Sequence, residues 1–242
     1  MTRVSVLLPA RDEEHGLAAT LREIPYAAMR RAGHELEVVV ADGASRDRTR
    51  DVALAWGARV VAQPGRGKGD AVRAALPELA GDVVVMMDAD RTYPAERVPD
   101  FVARVESGAD LVLGSRFRGR IEPGAMSWVH RLGNHGLSLL ASTLHARRVT
   151  DVCTGMWAFR REPVLALGLE SSAFEIEAEL FARACRAGLV VAELPIHYRP
   201  RLGRAKLGGV RDGLRIGSKL LALRVSRQPR VATPARRRVP GA

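Results

Sequence analysis

Only two cysteines, Cys153 and Cys185, occur in 242 residues, and they lack the paired short spacings of a zinc site. That scarcity excludes a disulfide framework and a structural zinc centre, and leaves both as small buried hydrophobes. No apolar run approaches the roughly 18 residues needed to cross a bilayer. The opening Met1-Thr-Arg-Val-Ser-Val-Leu-Leu-Pro9 breaks at its proline too early for a signal peptide, so a cytoplasmic protein is expected. Acidic residues are missing from one end alone. Residues 1–195 carry 25 Lys+Arg against 26 Asp+Glu, whereas residues 196–242 carry 13 against 1. The net charge of +11 is therefore a property of a basic end on a near-neutral body. Such an end suits an anionic partner, membrane phosphate or nucleic acid, or simply solvates the chain. Aromatic residues, 5% of the chain, are not interleaved with those charges beyond Tyr198, and no nucleic-acid-binding module is matched. Nucleic acid is accordingly disfavoured.

At 47% hydrophobic composition the chain is long enough to bury a full core. Short β-branched runs alternate with segments of helical period, the signature of βα units and a largely parallel sheet. The expected strands are Val4–Leu8, Leu36–Ala41, Arg59–Ala62, Asp82–Met87 and Asp110–Gly114. Between them lie expected helices Glu13–Arg31, Asp47–Trp56, Lys68–Leu79 and Pro94–Glu106. After Gly114 come a glycine- and arginine-rich loop, an amphipathic segment Trp128–Leu144, and a helix over Glu175–Arg186. The fold expected is α/β, with a nucleotide-binding mixed, mainly parallel sheet flanked by helices. The organisation expected is one large domain over 1–207, a basic amphipathic segment over 208–226 and a basic, disordered tail over 227–242.

Ligands gather at the carboxyl ends of strands in parallel sheets. The run Val83-Val-Val-Met-Met-Asp88-Ala89-Asp90 ends there in two carboxylates, which either hold a hard divalent cation or cap the helix that begins near Pro94. Asp42, before its turn, is a ligand candidate, while Ser45 and Asp47 suit helix capping. Gly65-Arg-Gly67-Lys68-Gly69 lacks the spacing of a Walker or dinucleotide loop, and reads equally as a nucleotide contact or a flexible turn. The histidines show no metalloprotease spacing, and Met156 and Trp157 read as core.

Taken together, these motifs resemble the family 2 glycosyltransferases of GT-A fold, and within them the dolichyl- or polyprenyl-phosphate mannosyl- and glucosyltransferases. The likeness covers about residues 3–207. The family's Pro-x-x-Asn-Glu appears as Pro9-Ala-Arg-Asp12-Glu13, its Asp-Asp-Gly-Ser-x-Asp-x-Thr as Asp42-Gly-Ala-Ser45-Arg-Asp47-Arg-Thr49, and its Gly-Lys-Gly as Gly67-Lys68-Gly69. Its metal-binding Asp-x-Asp falls on Asp88 and Asp90. Gly114-Ser115-Arg116, Asp151 through Gly155, Phe174-Glu175-Ile-Glu177-Ala-Glu179-Leu, and Arg199-Pro-Arg201-Leu-Gly-Arg204-Ala-Lys206-Leu follow in the family's order. There are two departures: Gly43 replaces the second Asp of the Asp-Asp pair, and Arg91-Thr92-Tyr93-Pro94 replaces a Leu-Gln-His-Pro common in the mannosyltransferases.

The resemblance implies transfer of a hexose from a nucleotide-sugar, GDP-mannose or UDP-glucose, to polyprenyl phosphate at the inner face of a membrane. It implies Mg²⁺ or Mn²⁺ at Asp88 and Asp90, nucleotide contacts from Pro9, Arg11, Glu13, Asp42, Lys68, Asp88 and Ala89, and catalytic roles for Asp90 and Arg116. Arg116, Arg131, Arg201 and Lys206 are the expected holders of the acceptor phosphate, because that group needs positive charge behind the anomeric carbon. Asp151, Glu175 and Glu179 either position the sugar or form buried ion pairs. An ionised phosphate acceptor needs no general base. A hydroxyl acceptor, soluble or saccharide, would need one from Asp151 or Glu175.

Overall fold

The computed structural model describes residues 1–203 and 209–225. Arg204, Lys206 and the tail over 227–242 lie outside the described residues. Seven strands form one sheet: β1 (Arg3–Ala10), β2 (Glu35–Asp42), β3 (Arg59–Ala62), β4 (Val83–Met86), β5 (Leu111–Ile121), β6 (Trp157–Arg160) and β7 (Val191–Tyr198). Their order is β3-β2-β1-β4-β6-β5-β7. All pairings are parallel except those of β6, which runs antiparallel to β4 and to β5. This is the mainly parallel, helix-flanked sheet expected from the alternating pattern. Both of its faces are covered. Val4, Val6 and Leu8 enter one core with Leu17, Leu21 and Phe101, while Leu7, Val84 and Met86 enter the other with Val72, Phe181 and Leu220. Period-2 alternation along a doubly covered strand supplies both cores at once, which is why these runs are apolar throughout.

The first face carries α1 (Glu14–Glu23), α2 (Tyr26–Arg31), α3 (Thr49–Ala55) and α5 (Val98–Glu106). The second carries α4 (Lys68–Ala75), α6 (Trp128–His145), α7 (Arg161–Ala166), α8 (Ile176–Arg186) and α9 (Val210–Val225). The single helix expected over Glu13–Arg31 is two helices. Pro25 forces Ile24 into an extended conformation, with ψ at 123°, and the chain turns there. The segment expected as a loop after Gly114 continues as strand to Ile121 and pairs with β7 through a register shift between Ser115 and Arg120. Two strands were not anticipated. β6 has only four residues, and β7 contains Pro195, tolerated because β7 is an edge strand bonded to β5 alone.

The basic segment expected over 208–226 contains α9, which packs on α6 and α8. Its Ile216, Leu220 and Leu223 are buried in the second core, and its Lys219 Nζ lies 3.3 Å from Glu179. The opposite stripe, Val210, Leu214, Leu221 and Val225, is exposed. On α6 the matching stripe is Trp128, Val129, Leu132 and Leu139. The two helices approach closely at Gly217, where a Cβ would stand 3.7 Å from Leu137 Cδ2. Eight large apolar side chains, an exposed ridge on each of two packed helices, thus lie open, and Arg131, Arg211, Arg215 and Arg224 are exposed on the same helices. Among the described residues no helix is long and apolar enough to cross a membrane.

If α9 is part of the folded domain, Leu220→Ala should lower unfolding free energy by about 2–5 kcal/mol, as for other buried leucines. Urea denaturation followed by circular dichroism measures it. A loss under about 0.5 kcal/mol, the range of surface substitutions, would place α9 outside the cooperative unit.

Candidate active site

The strand order reverses around β1, with β2 on one side and β4 on the other, and a cavity of about 470 Å³ opens at their carboxyl ends. It is lined by Pro9, Arg11, Glu13, Lys68, Asp88, Ala89, Asp90, Arg116 and Arg201, which the sequence motifs had singled out. Those residues come from strand ends and from helix starts far apart in the chain. Two of the turns are strained. Asp12 and Arg91, both non-glycine, hold positive φ of 49° and 67° beside the cavity. The left-handed conformation costs an L-residue roughly 1–2 kcal/mol, so packing must hold it. Arg91 is held by its N–H donating to Thr20 Oγ1 at 3.2 Å and its Nε to Glu23 at 3.1 Å.

Asp90 is 3% exposed. Its Oδ1 accepts from the Thr92 N–H at 3.1 Å and the Thr92 hydroxyl at 2.5 Å, closing the local turn. Its Oδ2 lies 2.5 Å from Arg201 Nη2. Neither carboxylate caps the helix that follows Pro94: one Asp90 oxygen closes the turn at Thr92 and the other pairs with Arg201. Burial and the neighbouring Asp88 push the Asp90 carboxyl above its ordinary range, against the pull of Arg201. Arg201 is carried on the strap after β7, which is tied down by the Leu202 N–H donating to the Asp90 carbonyl at 3.1 Å.

Asp88 sits beside Gly155. A Cβ there would fall 2.3 Å from Asp88 Oδ2, so only glycine admits the carboxylate. Its Oδ1 accepts from Lys68 Nζ at 2.5 Å. The Gly-Lys-Gly turn packs on backbone: a Cβ on Gly67, whose φ is 111°, would meet the Ser172 carbonyl at 2.4 Å. Lys68 is thereby aimed at Asp88 and at Glu177. Burial works to lower the Lys68 pKa, but the two carboxylates overcome it and leave it raised.

Arg116 is the most constrained of the cations. Its Nε and Nη2 donate to the two Asp151 oxygens at 2.7 and 2.6 Å, and its backbone N–H to Oδ2 at 3.0 Å. Its guanidinium carbon stands 5.2 Å from the Tyr198 ring centroid. Asp151 thus takes the ion-pair alternative, and its fork occupies the side of Arg116 expected to grip phosphate; Nη1 is the edge left for another acceptor. Burial would lower the Arg116 pKa, and Asp151 more than offsets it.

Several expected residues stand elsewhere. Asp42 is fully buried, accepting from the Ser45 N–H at 3.2 Å and from Arg50 Nε at 2.5 Å, and does not line the cavity. Glu179 accepts from Arg183 Nε at 2.6 Å and from the Ser171 N–H at 2.7 Å, behind the site. Glu175 lies 3.5 Å from Arg215, in a separate groove along α9. Arg131 is exposed on the first turn of α6, away from the cavity wall. Asp47 bonds the Thr49 and Glu14 N–H groups, at 3.0 Å each, as capping anticipates. Trp157 is core, its Nε1 donating to the Thr154 carbonyl at 2.6 Å. The cysteines are half-buried, and Cys153 reaches the cavity wall, its thiol pushed up to about 12 by burial. Sequence reasoning missed Gln63, Tyr93, Asn134, Tyr198, Glu177 and Ile216 on that wall. Two of them carried a signal, Glu177 by its place in the Phe-Glu-Ile-Glu run and Tyr93 by its place in the Arg-Thr-Tyr-Pro run after Asp90.

A cavity at the switch point of a mainly parallel sheet, lined by a carboxylate pair and by arginines, stands where α/β enzymes of this architecture bind their ligands. The sequence model of the glycosyl transferase family 2 matches residues 5–168. The chain belongs to that family, and is a glycosyltransferase with the GT-A arrangement of sheet and helices. It is 37% identical over 218 residues to the dolichyl-phosphate hexose transferase of Haloferax volcanii, covering 90% of this chain and 92% of that one. It is 36% identical over 214 residues to the low-salt glycan biosynthesis hexosyltransferase Agl6 of the same organism, covering 88% of this chain but only 51% of that protein. Among solved structures, a glucosyl-3-phosphoglycerate synthase from Mycobacterium tuberculosis, in complex with Mn²⁺, UDP-glucose and phosphoglyceric acid, superposes with a TM-score of 0.72. It is 25% identical, with 92% of this chain and 80% of that chain covered.

Breaking one side of a buried ion pair leaves the other charge uncompensated, at a cost of about 3–5 kcal/mol. Asp151→Asn should therefore lower the melting temperature and abolish transfer together, and Arg116→Lys should do both to a smaller degree. Thermal melts beside initial rates decide it. Full stability in Asp151→Asn would mean that Asp151 does not hold Arg116.

Proposed function

We propose that this glycosyltransferase moves a hexose, mannose or glucose, from a nucleoside-diphosphate sugar to the phosphate of a polyprenyl or dolichyl lipid, by a single inverting displacement. The observation that carries this reading is the state of the candidate bases. Asp151 has both oxygens on Arg116, and Glu175 faces Arg215, so neither is poised to take a proton from a hydroxyl. A phosphate acceptor arrives already ionised. Arg116 Nη1 and Arg201 offer it positive charge at the cavity wall. The dolichyl-phosphate hexose transferase named above supports the same acceptor class.

The floor of the cavity fits a divalent cation, Mg²⁺ or Mn²⁺. The residues that would hold it are Asp88 and Asp90, two residues apart, with the cation taking the Asp90 oxygen that Arg201 now occupies. No cluster of three or more acidic, His or Cys ligands exists among the described residues. A hard cation held by one or two carboxylates completes its sphere with diphosphate oxygens and water. When bound it would stabilise the negative charge that develops on the departing nucleotide. The chain's own residues do the rest: Pro9, Arg11 and Glu13 border the nucleotide space, Arg116 holds the acceptor charge, and the strap with Arg201 closes one wall.

A lipid acceptor requires the enzyme to meet a membrane, and the exposed ridge of α6 and α9 is the device we assign to that task. Apolar side chains enter the acyl boundary while the arginines of the same helices meet anionic headgroups at about 1 kcal/mol each. The protein is then peripheral at the cytoplasmic face, with no part for nucleic acid. The phosphoglyceric acid in the synthase complex favours a second reading, a soluble phosphorylated acceptor.

One assay separates the two. Incubation with polyprenyl phosphate or phosphoglyceric acid, Mg²⁺ or Mn²⁺, and a panel of nucleotide-sugars should yield a glycolipid by mass, with inverted anomeric configuration by NMR. Asp90→Ala should lower the rate on the order of 10²-fold or more. Product with phosphoglyceric acid alone would make the acceptor soluble. For the ridge, Trp128→Ser with Leu132→Ser should leave the fold intact and cut cosedimentation with anionic vesicles by about tenfold or more, from the loss of apolar burial. Unchanged cosedimentation would remove the ridge from the account.

A further inference from the structure

Glu177 stands in the first turn of α8, is 5% exposed and lines the cavity. Opposite it, Lys68 opens α4, and its ammonium reaches two carboxylates at once: Asp88 Oδ1 at 2.5 Å and Glu177 Oε1. Three elements with no sequence proximity, the end of β4 and the starts of α4 and α8, thus meet at one nitrogen. The Asp88 carboxylate has little freedom left. One oxygen is on Lys68, and the other is pressed toward Gly155, whose own N–H donates to the Tyr93 hydroxyl at 2.5 Å.

An ammonium bonded to Asp88 alone would cancel the negative charge at the place where the donor's cation must bind. Shared with Glu177, it orients Asp88 while the three-group cluster keeps a net charge of −1. We infer that Glu177 is a positioning residue for donor binding, sharing Lys68 with Asp88 and so fixing that carboxylate and preserving its attraction for a divalent cation. This rests on the proposal that the donor binds through a cation at Asp88 and Asp90. The ordinary alternative is that Glu177 only favours the N-terminus of α8, as acidic residues in a first turn do.

Mn²⁺ titration of the full chain without nucleotide, read by electron paramagnetic resonance of free Mn²⁺, tests the inference beside steady-state kinetics and a thermal melt. Glu177→Gln should raise the Mn²⁺ dissociation constant by about tenfold, the lower end for loss of a residue that orients a ligand, and raise the donor KM more than it lowers kcat. In a Lys68→Met background the same change should add little, because Glu177 acts through Lys68. Glu177→Asp, which keeps the charge one methylene short, should restore part of the affinity and serves if the Gln variant fails to fold. Wild-type affinity in a folded Glu177→Gln, or fully additive effects in the double variant, would make Glu177 merely structural and overturn the inference. Absence of Mn²⁺ binding by the wild-type protein would instead overturn the cation-based reading of the site, and the inference with it.

Discussion

The constraint on which the site depends is the placement of two carboxylates, the part-buried Asp88 and the buried Asp90, at the end of a strand enclosed on both faces. Ionised groups removed from water must be paired and hydrogen-bonded. Each of the two is. Lys68 meets one and Arg201 the other, while Thr92 closes the turn between them and the next helix. Because both counter-charges arrive from distant parts of the chain, the β4 end cannot be assembled without α4 and the strap after β7. Catalytic geometry and tertiary closure are one requirement here.

A similar pairing governs the acceptor side. Arg116 is buried and stays charged because Asp151 takes two of its nitrogens and Tyr198 covers its face. A guanidinium fixed in this way presents its charge without reorganisation. The same pairing removes Asp151 from any role as a base. In the proposed reaction one contact would thus act twice, supplying positive charge and withholding a proton acceptor.

The outer helices show how one amphipathic element can serve two surfaces. α9 places Ile216, Leu220 and Leu223 in the core and leaves Leu214 and Leu221 outside. An amphipathic reading of 208–226 does not show that division, because a helix with apolar residues on two stripes gives the same composition as a helix with one. α6, packed against it, carries a comparable exposed stripe.

The apolar runs of β1 to β4, the alternation with helices and the order of the motifs determined the fold class and placed Pro9, Glu13, Asp88, Asp90 and Arg116 at one end of the sheet. Those are local properties: strand ends, turn residues and period are written in consecutive residues. β6 and β7 escaped because four residues carry no period and Pro195 argues against a strand until its edge position is known. Asp42, Glu179 and Asp151 look like ligands in sequence and are partners of Arg50, Arg183 and Arg116 in space. Glu177 looks like one helix acid among three, yet it lines the cavity and shares Lys68 with Asp88. Which charge faces which is a matter of distance between segments far apart in the chain, and Coulomb and hydrogen-bond energies depend on that distance alone. The sequence therefore determined where charged groups could gather, and the tertiary structure decided which of them pair with one another and which remain turned toward a ligand.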